Sequence, residues 1–141
     1  MFVVDTNVLV YAANPDSLEH GRCRALLEQW RAGAGPWYTT WAILYEFVRV
    51  VTHPRVFPQP LGAEEAWSFV MAVLQSSGHR VLTESERHPH IARDLLGQVP
   101  ELRGNLTHAL HTAVLMREHG LARIVTRDAD FDTEPNNDLA P

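Results

Sequence analysis

Cysteine is nearly missing from this chain: Cys23 stands alone among 141 residues. An internal disulfide framework is therefore excluded, and the usage suits a reducing cytoplasm. Positive charge is not in excess either, since 12 basic residues against 17 acidic ones leave a net charge of -5. That balance argues against a surface coated in positive charge for non-specific DNA binding. It leaves room for a carboxylate cluster whose charge a bound divalent cation offsets. No apolar run approaches the roughly 20 residues needed to span a bilayer. The opening residues lack a basic n-region, so neither a membrane span nor a secretory signal is expected. Internal repeats and low-complexity segments are absent as well. What is present, 45% apolar and 21% charged residues, is globular. The length fits a single domain over residues 1–141 with a real core.

The pattern along the chain alternates strands with helices. Residues 2–5 read as a buried strand, followed by a turn into residues 8–13. His20–Ala32 follows as an amphipathic helix carrying Leu26, Leu27 and Trp30, and Gly33-Ala34-Gly35-Pro36 breaks it. Trp37–Thr40 is a short strand, and Thr40 is placed to cap a helix over residues 41–52. Pro54, Pro58 and Pro60 make a rigid connector. Ala63–Leu74 is a helix with Ala66, Phe69, Val70 and Val73 on one face. Residues 80–82 are a strand, and His88–Leu96 is a helix. Leu106, Ala109, Leu110, Ala113 and Leu115 or Met116 set a helical period over residues 105–119, with Gly120 at its C′ position. Residues 123–126 form a last buried strand, and the polar tail from Thr133 is expected to fray. The alternation implies an α/β domain with a central, mainly parallel sheet flanked by helices.

Two of these strands deliver carboxylates at their carboxyl ends, Asp5 and Asp128, where open α/β sheets bind ligands. Glu46 adds an acid inside the largely apolar run 41–51, and Asp130 lies two residues beyond Asp128. Acids gathered together repel one another, so convergence on one sheet edge has little structural reason. A hard divalent cation supplies one, because magnesium takes carboxylate oxygens, waters and substrate phosphate. Such ions serve in-line displacement at phosphorus. Each acid also has a plainer reading. Asp5 fits an Asx-turn or helix cap, Glu46 a solvated surface acid, and Asp-Ala-Asp ordinary turn chemistry.

The segments Val-Val-Asp-Thr-Asn-Val-Leu, Tyr-Glu-Phe-Val-Arg-Val-Val-Thr-His-Pro-Arg-Val-Phe and Thr-Arg-Asp-Ala-Asp-Phe, with Met-Arg-Glu-His-Gly before the last, resemble the PIN domain. More narrowly they resemble the VapC ribonuclease toxins of type II toxin–antitoxin systems. The resemblance implies that Asp5, Glu46 and Asp128 hold Mg2+ or Mn2+, with Asp130 as an accessory catalytic acid. It further implies cleavage of structured RNA, a homodimer, and inhibition by a VapB-like antitoxin. Thr6, Asn7, Arg49 and Arg127 are the candidate substrate contacts, and Arg103 is a further one. Pairing of Arg49 and Arg127 with nearby acids is the competing expectation. Trp30, Trp37, Trp41 and Trp67 are expected in the core or at an interface rather than stacked on bases.

One position departs from the family pattern. Gly104-Asn-Leu-Thr-His-Ala-Leu-His111 places Ala109 where members usually carry another acid. Helical spacing makes Asn105 and Thr112 better placed than His108 to substitute. His108 and His111, three apart, offer a softer site suited to zinc or manganese, although a surface histidine and a packing histidine are the favoured readings. Ala109 also motivates an alternative function: a weak or inactive PIN-fold module that binds antitoxin or RNA. A housekeeping nuclease acting on DNA flaps or RNA intermediates shares the same chemistry.

Overall fold

The computed structural model describes residues 1–99 and 101–127, with the backbone alone for Asn105. Asp128, Asp130 and the tail from Thr133 lie outside the described residues. In chain order the elements are β1 (Val3–Val4), α1 (Thr6–Ala13), α2 (His20–Ala32), β2 (Trp37–Thr40), α3 (Trp41–Val51), α4 (Ala63–Leu74), β3 (His79–Leu82), α5 (His88–Leu96), α6 (Gly104–Glu118) and β4 (Ile124–Val125).

The four strands are parallel and ordered β3-β2-β1-β4. Val3 lies opposite Tyr38 on one side and Ile124 on the other. Parallel strands need crossover connections and are usually covered on both faces. That explains why Val3, Val4, Ile124 and Val125 form unbroken apolar runs, and all four are buried. From β1 the chain adds β2 and then β3 on one side, and returns through α5 and α6 to lay β4 on the other. Ligands bind in the crevice that such a reversal opens beyond the strands' carboxyl ends. Here it lies after β1 and β4.

Local chemistry sets the helix starts. Asp5 has extended backbone, and its Oδ1 accepts a hydrogen bond from Thr6 N at 2.8 Å. Helix α1 therefore starts at Thr6, two residues before the expected segment 8–13, and the acid itself is the cap. Thr40 caps α3 as expected, accepting from Ile43 N at 3.0 Å. α3 buries Ile43, Leu44, Phe47 and Val51, and Phe47 stacks on Phe69 of α4 with ring centroids 4.6 Å apart. Helix α6 keeps its expected face at Leu115 and Met116 and departs from it nearer the amino terminus. Leu106, Ala109, Leu110 and Ala113 are only half-buried, whereas Thr112, Val114, Leu115, Met116 and Glu118 are buried. Its carboxyl-terminal half carries the packing, and Gly120 follows at φ +69°.

Gly35 and Gly78 let the starts of β2 and β3 approach. A Cβ on either would lie 2.5–2.6 Å from the other's backbone, and Gly35 also has φ +70°. Trp37 is buried between Trp30 and His79. Trp41 and Trp67 instead remain partly exposed and are joined through Tyr45. Burial pushes the Cys23 thiol up to about 11, aided by Glu19, so it is inert near neutral pH. Among the described residues no helix is long and apolar enough to cross a membrane.

Candidate active site

The crevice beyond β1 and β4 is closed by a short network. Thr126, just past β4, donates from Oγ1 to Asp5 Oδ2 at 2.9 Å and accepts from Asn7 Nδ2 at 3.2 Å. Asn7 Oδ1 accepts from Arg127 N at 3.0 Å. These bonds pin the first turn of α1 to the end of the last strand across about 120 residues of sequence. Thr6 adds a bond from Oγ1 to the carbonyl of Ile43 at 3.2 Å, which ties α1 to α3. Asp5 is only 3% exposed. Its carboxylate is thus held in one orientation by the helix it caps and by a hydroxyl from the opposite strand.

An open cavity of about 600 Å³ adjoins this network. Asp5, Asn7, Glu46, Arg49 and His108 contribute its polar lining, with Val10, Val50 and Phe57 among its apolar walls. Glu46 does not stand free. Arg49, one turn on, donates from Nε to both carboxylate oxygens at 3.1 Å and from Nη2 to Oε1 at 2.5 Å. The Arg49 hydrogen bonds hold the Glu46 carboxyl below its usual range against the opposing pull of partial burial, with help from the charges of Arg49 and His108. Both side chains are partly exposed, so the ion pair itself adds little to stability.

His108 presents the opposite case. It lines the cavity, yet its Nε2 is buried and has no hydrogen-bond partner. Native proteins rarely leave such a group unsatisfied. Its neighbour by helical spacing, His111, faces different company: Glu84 at 3.9 Å and the edge of the His88 ring.

A family model for the PIN domain matches residues 2–134. The chain belongs to the PIN-domain family. Within it the chain falls in the VapC branch. Ribonuclease VapC48 of Mycobacterium tuberculosis is 34% identical over 127 residues, covering 90% of this chain and 87% of that protein. Ribonuclease VapC43 of the same organism is 37% identical over 119 residues, covering 84% and 80%. The crystal structure of Mycobacterium tuberculosis VapC20, described as a sarcin-ricin loop cleaving toxin, superposes with a TM-score of 0.72. It covers 100% of both chains at 19% identity and so speaks to the fold alone. VapBC2 from Rickettsia felis, bound to a promoter DNA fragment, gives a TM-score of 0.64 at 19% identity, covering 96% and 94%.

This PIN domain brings Asp5, Thr6, Asn7, Glu46 and Arg49 to the same cavity. Asp128 and Asp130 lie outside the described residues. Thr6 and Asn7 also spend their polar groups on holding the walls together. Arg49 pairs with Glu46, and Arg127 reaches Glu19 at 3.1 Å, so the competing expectation for both arginines is the arrangement found. Arg103 pairs with Glu101 at the surface.

Ala109 packs against the hydrophobic core, and of the expected substitutes for an acid there the Asn105 side chain lies outside what the structure describes. Thr112 is buried, with its hydroxyl bonded to the His108 carbonyl, whereas His108 lines the cavity. His108 and His111 do not form a joint site. Among the described residues no group of three His, Cys, Asp or Glu side chains is gathered to hold a metal. In donor chemistry, however, two hard carboxylates facing one open cavity suit a divalent cation.

One charged centre was missed by sequence reasoning. The Glu118 side chain is fully buried at the end of α6, and its Oε1 accepts from Ser85 N at 2.7 Å and Ser85 Oγ at 2.6 Å. His88 Nδ1 meets its Oε2 at 2.5 Å, and Arg87 donates to its carbonyl at 2.6 Å. Burial pushes this carboxyl up, but the bonds from Ser85 and His88 outweigh it and hold the group below the usual range. A signal was available: an acid in the last turn of a helix opposes the helix dipole and needs a compensating partner.

Proposed function

We propose that this VapC-branch PIN domain is a metal-dependent endoribonuclease toxin that hydrolyses phosphodiester bonds in RNA. In this reading Asp5, Glu46 and Asp128 hold Mg2+ or Mn2+, and Asp130 assists catalysis. The observation that carries it is the convergence of Asp5 and Glu46, 41 positions apart in sequence, on one open cavity at the sheet's reversal point. The names of the mycobacterial relatives support the reaction class. When bound, the cation would supply Lewis acidity toward water and the scissile phosphate.

The chain's own residues do the positioning. Asp5 is kept rigid by Thr6 N and Thr126 Oγ1, so its oxygens stay aimed without an entropy penalty at the moment of reaction. Asn7 fixes Thr126 and the backbone of Arg127 from the other side. Arg49 stands beside Glu46 at the cavity rim, where a flanking phosphate exchanges one anionic partner for another. Arg127 makes the same exchange with Glu19.

A VapB-like antitoxin is the proposed partner, which the VapBC2 neighbour's name supports. The partly exposed Trp41, Tyr45 and Trp67 give this molecule an aromatic face of the kind that anchors protein interfaces. A homodimer working in the cytoplasm completes the proposal. The test is cleavage of structured RNA by purified protein with added Mg2+ or Mn2+, beside chelator and Asp5→Asn controls. Cleavage that survives Asp5→Asn overturns the proposed site.

Ala109 favours a second reading, an antitoxin- or RNA-binding module with little activity. Cleavage and tight metal binding seen only in Ala109→Asp would establish it, and equal activity in both proteins would remove it.

A further inference from the structure

We propose that His108 Nε2 takes over the metal-binding role that Ala109 cannot fill, so that this chain's site is a mixed oxygen–nitrogen one that prefers manganese to magnesium. The inference rests on the nuclease reading above and concerns one side chain within it.

Three observations meet at His108. Ala109 has no donor atom and packs against the core, so the turn of α6 nearest the cavity offers no carboxylate at that position. His108, the preceding residue, lines the cavity that Asp5 and Glu46 also line. Its Nε2 is buried without a hydrogen-bond partner, although imidazole nitrogens normally find one. His111, by contrast, sits with Glu84 and His88. An unpartnered ring nitrogen on a side chain that lines the same cavity as two carboxylates is a candidate donor to a Lewis acid. The competing explanation, a packing histidine, leaves that nitrogen's desolvation uncompensated.

Metal choice follows from the donor set. Magnesium binds oxygen and gives up its waters reluctantly. Imidazole suits the softer transition ions, and manganese accepts oxygen and nitrogen together. The described side chains are not yet gathered around one point. Loading therefore requires Glu46 to turn from Arg49, and that half-exposed pair is cheap to break.

The experiment measures the metal directly. Mn2+ and Mg2+ are titrated calorimetrically into the wild type, His108→Gln, His111→Gln and Asp5→Asn, with circular dichroism confirming the fold of each. Bound Mn2+ in the wild type is then examined by electron spin echo modulation, with and without 15N-labelled histidine. The expected result is tighter Mn2+ than Mg2+ binding and a histidine nitrogen coupling in the wild type. His108→Gln should lose the coupling and at least roughly tenfold in Mn2+ affinity, since even outer-shell changes cost that much. His111→Gln should keep both. Mn2+ bound without nitrogen coupling, or coupling that survives His108→Gln, overturns this inference and leaves the nuclease reading standing. Absence of any Mn2+ or Mg2+ binding overturns both. If His108→Gln fails to fold, His108→Asn takes its place, and a wild-type spectrum without nitrogen coupling overturns the inference by itself.

Discussion

Two carboxylate centres divide this molecule's chemistry between them. At Glu118 every neighbour converges on the acid: Ser85 gives two bonds, His88 a third, and the side chain is closed off from water. At the cavity between α1, α3 and α6 the acids line an open volume, Asp5 with each oxygen accepting a hydrogen bond and Glu46 at the rim. Glu46 leans on a surface arginine, and the His108 nitrogen has nothing to bind. Buried charge with its partners complete is a fastening. Charge left beside an open volume, with a donor atom unspent, is a place for something else. The contrast separates structural from chemical acids more sharply than exposure does, since Asp5 is at least as buried as Glu118.

That contrast is best broken by mutation. The largest effect is expected for Asp5→Asn. RNA cleavage should fall by at least about a hundredfold, the scale of losing one aligned reacting group. Stability should change little, because asparagine caps helices as well as aspartate does. Equal losses of both would return Asp5 to a purely capping role. Glu118→Ala should show the reverse pattern. Leaving His88 and Ser85 without their shared acceptor is expected to cost about 3 kcal/mol in urea unfolding. Cleavage per folded molecule should be unaltered. A Glu118 variant that stays stable but loses activity would erase the distinction.

Smaller effects sharpen the same line. His79 is buried against Trp37 and bonded to Thr39 Oγ1, and burial, with Arg80 adding to it, lowers its imidazole from 6.5 to about 4. The unfolded chain takes up this proton near pH 6.5 and the folded one only near 4. The contribution is therefore intact above pH 6.5 and is lost as pH falls through that window, by about 1.4 kcal/mol per unit. Urea midpoints between pH 7.5 and 5 should drop accordingly, and His79→Asn should flatten the slope. An unchanged slope in that variant would assign the dependence to other groups. The smallest effect belongs to Arg49→Ala: within about 0.5 kcal/mol in stability, as for most exposed pairs. The Glu46 carboxyl should rise toward its ordinary range once its main hydrogen-bond partner is gone, which carboxyl NMR titration would report.

Much of this architecture was legible in the residues. Phe2-Val-Val and Ile124-Val125 carry no alternation because parallel central strands are covered on both sides. The hydroxyl of Thr40 announced α3. The convergence of Asp5 and Glu46 was visible as acids after or within apolar runs. What escaped was rotation and distance. Neighbouring helical residues point about 100° apart, so whether position 108 or 109 meets the cavity depends on how α6 beds into the sheet. Its half-buried amino-terminal turns do not reveal that from periodicity. Arg127 finding Glu19, 108 residues away, has no local signature at all. Asp5 was already readable as a helix cap, but Thr6-Asn7 also reads as a turn, and so the early start of α1 was missed.

The bond from Thr126 to Asp5 has a consequence for the timing of biosynthesis. Among the described residues, β1 has β4 for a neighbour, and β4 is made long after it. Until β4 and the residue after it are in place, Asp5 lacks the hydroxyl that orients it. On the proposed reading, a fully oriented Asp5 therefore belongs only to a chain synthesised through Thr126.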